Sequence, residues 1–508
     1  MRAIVIGGGI SGLATAGLLA RDGHDVTVLE ARPATGGRAG SWEHGGFRFD
    51  TGPSWYLMPE VFEHWFRLMG TTAGDELDLV RLTPAFRAHF EPPGAAPLDV
   101  VSGRESATAM FERIETGAGP RLSSYLDSAR DAYDLAVNRF LYDTYETTKG
   151  LRDPALLRRL PRLLPLLTRS LAAHVDRRFT DRRLRQILGY PAVFLGSSPY
   201  RAPSLYHLMS HLDLADGVLY PMGGFTTVIA AVERLAAAAG AKVETGAPVE
   251  RILTRDGSAR GVRLRDGREL DADLVVSTAD LHHTETALLG DGERTYPEAW
   301  WRRRSPSPGA LLLMLGVEGP LPQLAHHNLL FTRDWKANFD AIFGRRPRVP
   351  HPASIYVCRP SATDPTAAPA GHENLFVLVP VPADPGIGSG GDLAVEAAAD
   401  RVIAQIAAWC GAPDLPERVV VRRTVAPGDF ATGLNAWRGN ALGLEHTLRQ
   451  SAFFRPGNAS RKVRGLMYAG ASTLPGIGLP MCLISAELVL KRLRGDRSPG
   501  PLPEPGEA

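Results

Sequence analysis

The chain opens on a short apolar run at residues 2–6, followed by three consecutive glycines and then by apolar positions at helical spacing over 13–21. Gly23 stops that helix, and 25–30 (Asp-Val-Thr-Val-Leu-Glu) reads as a second buried strand. The unit is strand–helix–strand from the first residue. From about 112 to 205 the pattern changes to long helical stretches without strand punctuation. Residues 241–279 return to strand-like segments at 242–245, 249–254, 261–264 and 274–277, with Asp256-Gly257 and Asp266-Gly267 as hairpin turns. Residues 290–435 mix strands at 311–316, 375–381 and 419–424 with a helix at 393–410 and Pro-rich loops. A final strand at 463–470 leads through a Gly/Pro loop into a helix at 481–493. The Pro- and Gly-rich end after Asp496 is expected to be disordered. No internal repeat of fixed period is present.

These changes divide the 508 residues into a discontinuous α/β unit (1–75, 206–290 and 441–496), a mixed α+β unit (76–111 and 291–440), a helical insertion (112–205) and a disordered tail (497–508). Hydrophobic residues make up 44% of the chain, enough to bury sizeable cores. The 57 basic and 55 acidic residues nearly cancel, which argues against a protein built to wrap nucleic acid. Only five of the basic residues are lysine (149, 242, 336, 462 and 491), and this Arg/Ala-rich usage is that expected of a GC-rich bacterium. Cys358, Cys410 and Cys482 are too few and too scattered for a disulfide framework or a zinc site, so a reducing, cytoplasmic compartment is expected. No run of 18 apolar residues exists to span a bilayer, and the glycines at 7–9 interrupt any signal-peptide core.

Gly7-Gly8-Gly9-Ile10-Ser11-Gly12 fits G-x-G-x-x-G, with glycines at 7, 9 and 12. Glycine is needed there because the backbone must turn tightly and approach a pyrophosphate, whose charge meets the helix N-terminal amides. Glu30 closes the second strand, where an acidic side chain hydrogen-bonds a ribose diol, followed by Ala31. Strand, helix, strand and acid in register point to a dinucleotide. The next segment decides between NAD and FAD. Gly36-Gly37-Arg38-Ala39-Gly40-Ser41 is a second anion-friendly loop, and Gly45-Gly46-Phe47 and Phe49-Asp50-Thr51-Gly52-Pro53-Ser54 follow it. Arg38 is either a solvated loop residue or a charge-assisted contact to a pyrophosphate or reduced flavin. Near the C-terminus, Gly470-Ala471-Ser472-Thr473-Leu474-Pro475-Gly476-Ile477-Gly478-Leu479-Pro480 opens the last helix. Such a loop either caps a packing helix or aims backbone amides at developing negative charge, and Pro480 suits the first helical turn.

The run Gly36-Gly37-Arg38…Ser41…Gly45…Asp50…Gly52 resembles the second signature of the amine-oxidase-like flavoprotein superfamily. The resemblance implies extended FAD with Glu30 on the adenosine ribose, and the backbone of Val249 at adenine unless Val249 is a plain core-strand residue. The 470–480 loop resembles the signature of bacterial phytoene desaturases, as do Tyr220-Pro221-Met222-Gly223-Gly224, Phe454-Arg455-Pro456 and the Pro53–Pro59 stretch. Leu474 stands where that group commonly has His, and Met481 where Gly is common, so no acid–base role carries over to Leu474. The resemblance implies a Rossmann-type FAD domain, a mixed substrate domain and a helical insertion. It further implies stepwise dehydrogenation of phytoene towards lycopene, with hydride passing to flavin N5 and the polyene held in a long apolar tunnel. No catalytic acid or base is nominated. The enzyme alternatives are a carotene cis–trans isomerase or a desaturase of another carotenoid. A flavin-free lipid-binding protein similar to the GDP dissociation inhibitors is the non-enzyme one.

With one G-x-G-x-x-G and no second nucleotide unit, electrons are expected to leave to a quinone or oxygen. Residues 152–185 carry ten Arg (152, 158, 159, 162, 169, 177, 178, 182, 183 and 185) against Asp153, Asp176 and Asp181, a net charge of +7. Leucines at 156, 157, 160, 163, 164, 166, 167 and 171 are interleaved with them, and Pro161 and Pro165 are expected to break the segment into short helices. The region is either a solvated helical face or a docking patch for the inner surface of the cell membrane. The 14 histidines show no metal-binding spacing. The side chains of the adjacent pairs His282-His283 and His326-His327 are expected to diverge, and no metal is expected.

Overall fold

The computed structural model describes residues 1–146 and 154–506, apart from the side chains of 154–157, 159, 160 and 162. A five-stranded sheet carries the N-terminal unit. Its spatial order is Leu466–Tyr468, Leu274–Ser277, β1 (Arg2–Ile6), β2 (Asp25–Leu29) and Lys242–Glu244. Every pairing is parallel, so β1 is buried on both faces and reads as an unbroken apolar run. Helix α1 (Ile10–Arg21) crosses from β1 to β2 and packs on the Phe225–Ala238 and Leu479–Arg494 helices. Close packing needs small residues: a Cβ at Gly17 would lie 3.4 Å from Ala236 Cα and 3.3 Å from Met69 Sδ. The fold is α/β, with a nucleotide-type sheet assembled from three distant chain segments.

A second, seven-stranded sheet runs in the order Val419–Val425, Gly309–Glu318, His372–Val381, Ile355–Cys358, His327–Phe331, Phe86–Phe90 and Leu98–Val100. The helix Leu393–Cys410 covers one face, where Val395, Ala399, Val402 and Ile406 join Leu313, Leu315 and Val377 in one core. Four of these seven strands are absent from the sequence reading. His327-Asn-Leu-Leu-Phe331 is buried throughout yet begins with two polar residues. Asn328 is satisfied there by donating to the carbonyls of Ala325 (2.8 Å) and Val357 (3.2 Å), partners that lie outside any local pattern.

Between these sheets in sequence, helices dominate: Arg104–Ile114, Ala118–Ala136, Pro154–Thr168, Leu171–Asp176 and Arg182–Gly189. Pro161 and Pro165 do not break the third into pieces, as the sequence suggested; it runs unbroken from 154 to 168. Each proline removes one rung of the helical ladder. Spaced four apart they fall on one stripe, and the remaining rungs carry the helix through. Arg152 and Asp153 lie outside the described residues.

The tail also departs from expectation. Leu502 is buried and its N–H donates to Glu487 Oε1 at 2.6 Å. Lys491 Nζ donates to the carbonyls of Ser498 (2.8 Å) and Gly500 (2.5 Å), and His64 sits between Glu487 (3.1 Å) and Glu504 (3.0 Å). A composition-based reading cannot see that two buried cations wait for these carbonyls and carboxylates. Burial pushes the His64 pKa down, but the hydrogen bonds and charges of Glu487 and Glu504 outweigh it and raise it above 6.5. Glu504 moves the other way, below 4.5, because its bonds to His64 and Arg67 outweigh desolvation. The His64 contribution is therefore complete below 6.5 and lost as pH rises through its raised folded value. That of Glu504 is lost as pH falls through its depressed one. Hydrogen exchange of amides 497–506 should accordingly be slower at about pH 6 than at about pH 9, after correction for intrinsic rates. Equal protection at both would remove His64 from the clasp.

Candidate active site

The turn after β1 is set by contacts that admit only glycine. A Cβ at Gly12 would lie 1.9 Å from Gly7 O, and one at Gly7, where φ is +103°, would lie 2.8 Å from Thr278 Oγ1. Thr278 donates to the carbonyls of Ile6 (2.9 Å) and Gly7 (3.0 Å), tying the turn to the neighbouring strand. Glu30 is buried, and its carboxylate accepts the N–H of Gly8 at 2.7 Å and that of Arg32 at 2.9 Å. Ala31 beside it is exposed. The adenine-side candidate Val249 is half-buried and opens the strand Val249–Arg255. It lies two residues after Ala247, whose N–H donates to Glu30 O at 2.8 Å.

The second loop lies against the first. Gly36 N–H donates to Gly8 O at 2.9 Å, and a Cβ at Gly37 would sit 3.2 Å from Gly9 Cα. Arg38 stands 3.9 Å from Asp280, which also caps the Leu281–Thr286 helix. Burial lowers the Arg38 pKa against the opposing pull of Asp280 and Cys482. Gly52 closes the segment, since a Cβ there would lie 2.0 Å from Arg38 O. Asp50 then accepts from the N–H groups of Phe225 (2.8 Å) and Thr226 (3.3 Å), which explains the Gly-Gly pair before that helix: a Cβ at Gly224 would stand 2.7 Å from its Oδ2. Burial raises the Asp50 carboxyl to about 6. Pro53 leads to Ser54, whose hydroxyl bonds Tyr356 at 2.6 Å and so faces the large sheet instead of the phosphate loop.

The C-terminal loop completes the constellation. Gly470 has φ +115°, and a Cβ added there would lie 3.9 Å from Ser11, whose Oγ donates to Cys482 O at 3.3 Å. Ile10 and Ser11 are buried at the start of α1, beside the final helix. That helix starts at Leu479, with Pro480 in its first turn and Gly478 as N-cap at φ +120°. Arg455, missed as a site residue, holds the loop: it is 4% exposed and donates to Thr473 O (2.9 Å), Ala471 O (2.5 Å), Gln450 O (3.1 Å) and Leu444 O (3.3 Å). Burial lowers its pKa to about 10. The only sequence signal was the Phe-Arg-Pro run.

Two observations test whether a dinucleotide fits. Arg38 Nε and Nη2 are buried with no hydrogen-bond partner among the described residues beyond the 3.9 Å approach of Asp280, as a cation awaiting an anion would be. Gly9 has an ordinary extended backbone, and an added Cβ would meet nothing nearer than Gly37 Cα at 3.8 Å, so the protein itself does not demand glycine there. Both fit a pyrophosphate lying along Gly9 towards Arg38.

The flavin containing amine oxidoreductase family model matches residues 10–489. The chain belongs to that family. It is an FAD-dependent oxidoreductase, which removes the flavin-free lipid-binding alternative. It is 42% identical to a carotenoid 3,4-desaturase of Haloarcula japonica, over 97% of this chain and 98% of that one. It is 39% identical to a zeta-carotene-forming phytoene desaturase of Myxococcus xanthus, over 97% and 93%. An oxidoreductase from Methanosarcina mazei superposes with TM-score 0.62 at 18% identity, covering 97% of this chain and all of that one, and so shares the fold.

For this flavoprotein, Arg38→Met separates binding from folding. FAD affinity should fall about 10–100-fold, the loss of a charge-assisted hydrogen bond at roughly 1.5–3 kcal/mol. The FAD-free protein should melt close to wild type, because the lost 3.9 Å ion pair to Asp280 is offset by removing two buried nitrogens that have no hydrogen bond. Titrating FAD into deflavinated protein and melting it measures both; unchanged affinity would place the anion elsewhere.

Proposed function

We propose that this protein desaturates a carotenoid, dehydrogenating phytoene stepwise towards lycopene. The observation that carries the reading is the near-complete coverage at 42% and 39% identity by two carotenoid desaturases. The interior supports an apolar polyene: Trp55 clusters with Phe86 (5.7 Å), Tyr190 (6.0 Å) and Phe194 (5.2 Å) where the large sheet, the helical insertion and the 50–58 segment meet. Bound FAD supplies the hydride acceptor. Gly7, Gly9, Gly12 and Arg38 would hold its pyrophosphate, Glu30 its ribose, and the 470–480 loop with the first turn of the last helix its isoalloxazine. The neighbouring proton would pass to water from an allylic cation that the polyene stabilises, so the chain's task is to position the substrate. The 3,4-desaturase relative favours a second reading, dehydrogenation of a later carotenoid. Expression in cells that make phytoene, and separately lycopene, tests both. Pigment from phytoene supports the first, and a red shift confined to lycopene cells supports the second. A yellow, FAD-loaded protein that leaves both unchanged overturns carotenoid desaturation.

The same reading places the protein on a membrane surface. Among the described residues no helix is long and apolar enough to cross a bilayer. Leu164 (55% exposed), Phe453 (40%) and Phe454 (61%) are exposed, as are Arg158, Arg169 and Arg449, and the 204–208 turn ties the two segments, Ser204 donating to Leu166 O at 3.0 Å and Tyr206 bonding Ser451 at 3.0 Å. Near an anionic surface each arginine contributes on the order of 1 kcal/mol. Arg158→Glu with Phe454→Ser should move the protein from liposome pellet to supernatant without changing FAD content; equal sedimentation at low salt argues for a solvated face. Turnover in such liposomes should follow added quinone or oxygen and ignore NADP.

A further inference from the structure

The sequence sends the side chains of His326 and His327 apart, as neighbours in a strand must go. The structure brings them together. His326 precedes the strand His327–Phe331, so the alternation of the pleat does not reach it, and the two rings lie 4.6 Å apart. Across the antiparallel pair, His327 is in register with Cys358, the last residue of Ile355–Cys358. One nitrogen from each imidazole and Cys358 Sγ all lie within 4.8 Å of one another. All three residues are buried, at 4%, 0% and 1% exposure.

Hydrogen bonding accounts for only half of each imidazole. His326 Nδ1 bonds Thr363 Oγ1 at 2.8 Å and His327 Nδ1 bonds the Tyr356 hydroxyl at 2.8 Å, while Nε2 of both rings has no partner among the described residues. Thr363 Oγ1 can accept from His326. Tyr356 can accept from His327 while donating to Ser54 Oγ at 2.6 Å. Both Nδ1 atoms then carry the proton and both Nε2 atoms keep a free lone pair, the outer-sphere arrangement that orients metal-binding histidines. Two buried acceptors are costly for a fold to keep without a partner, and a thiophilic cation would satisfy both together with the nearby thiol.

We propose that His326 Nε2, His327 Nε2 and Cys358 Sγ form a binding site for a thiophilic d10 cation, with Zn²⁺ as the probe. Binding makes two Zn–N bonds and one Zn–S bond, and the proton of the Cys358 thiol passes to the buffer. At about 2.0 Å for Zn–N and 2.3 Å for Zn–S, the ligand atoms must close by about 1 Å, within reach of imidazole and thiol rotations. A cavity of about 10 Å³, room for about one water, borders Cys358 and is lined also by Asp50, Ser54 and Tyr220. His327 stacks on Trp55 at 4.5 Å and His326 lies 4.6 Å from Tyr220, so the ion would pin the large sheet to the segment leading from the flavin loop.

The test uses whole protein from cells grown with added ZnCl₂, dialysed without chelator and analysed for zinc, FAD and Cys358 alkylation. The expected result is one zinc per chain, with Cys358 protected from alkylation until a chelator is added under partly denaturing conditions. Cys358→Ser and His327→Gln should each lower zinc at least tenfold at unchanged FAD content. Tyr356→Phe, which keeps every ligand, should weaken zinc affinity about tenfold. The unmodified chain decides the matter even if a variant fails to fold. Wild-type protein with no more zinc than Cys358→Ser, or with Cys358 equally alkylated with and without zinc, overturns the site.

Discussion

Gly9→Val should give a folded protein that purifies without colour. Among the described residues, apart from its chain neighbours, the nearest atom to a Cβ at this position is Gly37 Cα at 3.8 Å, and its backbone, at φ −74° and ψ 173°, suits any residue. Valine's methyls would occupy only the path assigned to the pyrophosphate. The circular dichroism spectrum should match wild type while bound FAD falls below a tenth of stoichiometric. Gly12→Ala is the contrasting change. Its Cβ would lie 1.9 Å from Gly7 O, so the turn itself must move, at about 1–3 kcal/mol or more. It should lose both flavin and stability. Stoichiometric FAD in Gly9→Val would mean that the phosphates do not pass along this glycine.

The second large effect is expected at Arg455. Its guanidinium satisfies four carbonyls at once, two of them on the 470–480 loop. Arg455→Leu leaves those carbonyls buried without donors at about 1–3 kcal/mol each, partly offset by no longer burying a charge. A net loss of about 3–5 kcal/mol is expected, with flavin released at a lower temperature than in wild type. Arg455→Lys, with one compact ammonium in place of a planar fork, should recover little of it. Following flavin fluorescence during heating measures the effect. A wild-type release temperature in Arg455→Leu would show that the loop is held by other means.

What the sequence made legible was local. Gly7 to Gly12 with Glu30, and Gly36-Gly37-Arg38, announce themselves because turn geometry and chemistry demand particular residues at short spacing. The helix at 393–410 was legible to the residue because its apolar stripe faces a single sheet. Partnerships made at long range were not. Asp50 with Phe225, Arg455 with Ala471 and His64 with Glu504 join elements whose separation in the chain carries no pattern. The His326, His327 and Cys358 cluster failed for a sharper reason: strand alternation was applied to a residue that stands one position outside its strand.

The strand order of the parallel sheet also bears on how the molecule is made. β1, α1 and β2 leave the ribosome more than 400 residues ahead of Leu466–Tyr468 and of the Leu479–Arg494 helix that packs on α1. A nascent chain therefore carries a phosphate-binding turn whose facing wall is still missing. Closing that wall spans nearly the whole polypeptide, a slow step for chain entropy. Flavin capture thus waits for the synthesis of Leu466–Tyr468 and Leu479–Arg494, and a message truncated before the codon for Leu466 would yield a protein with every N-terminal nucleotide motif and no means of keeping the cofactor.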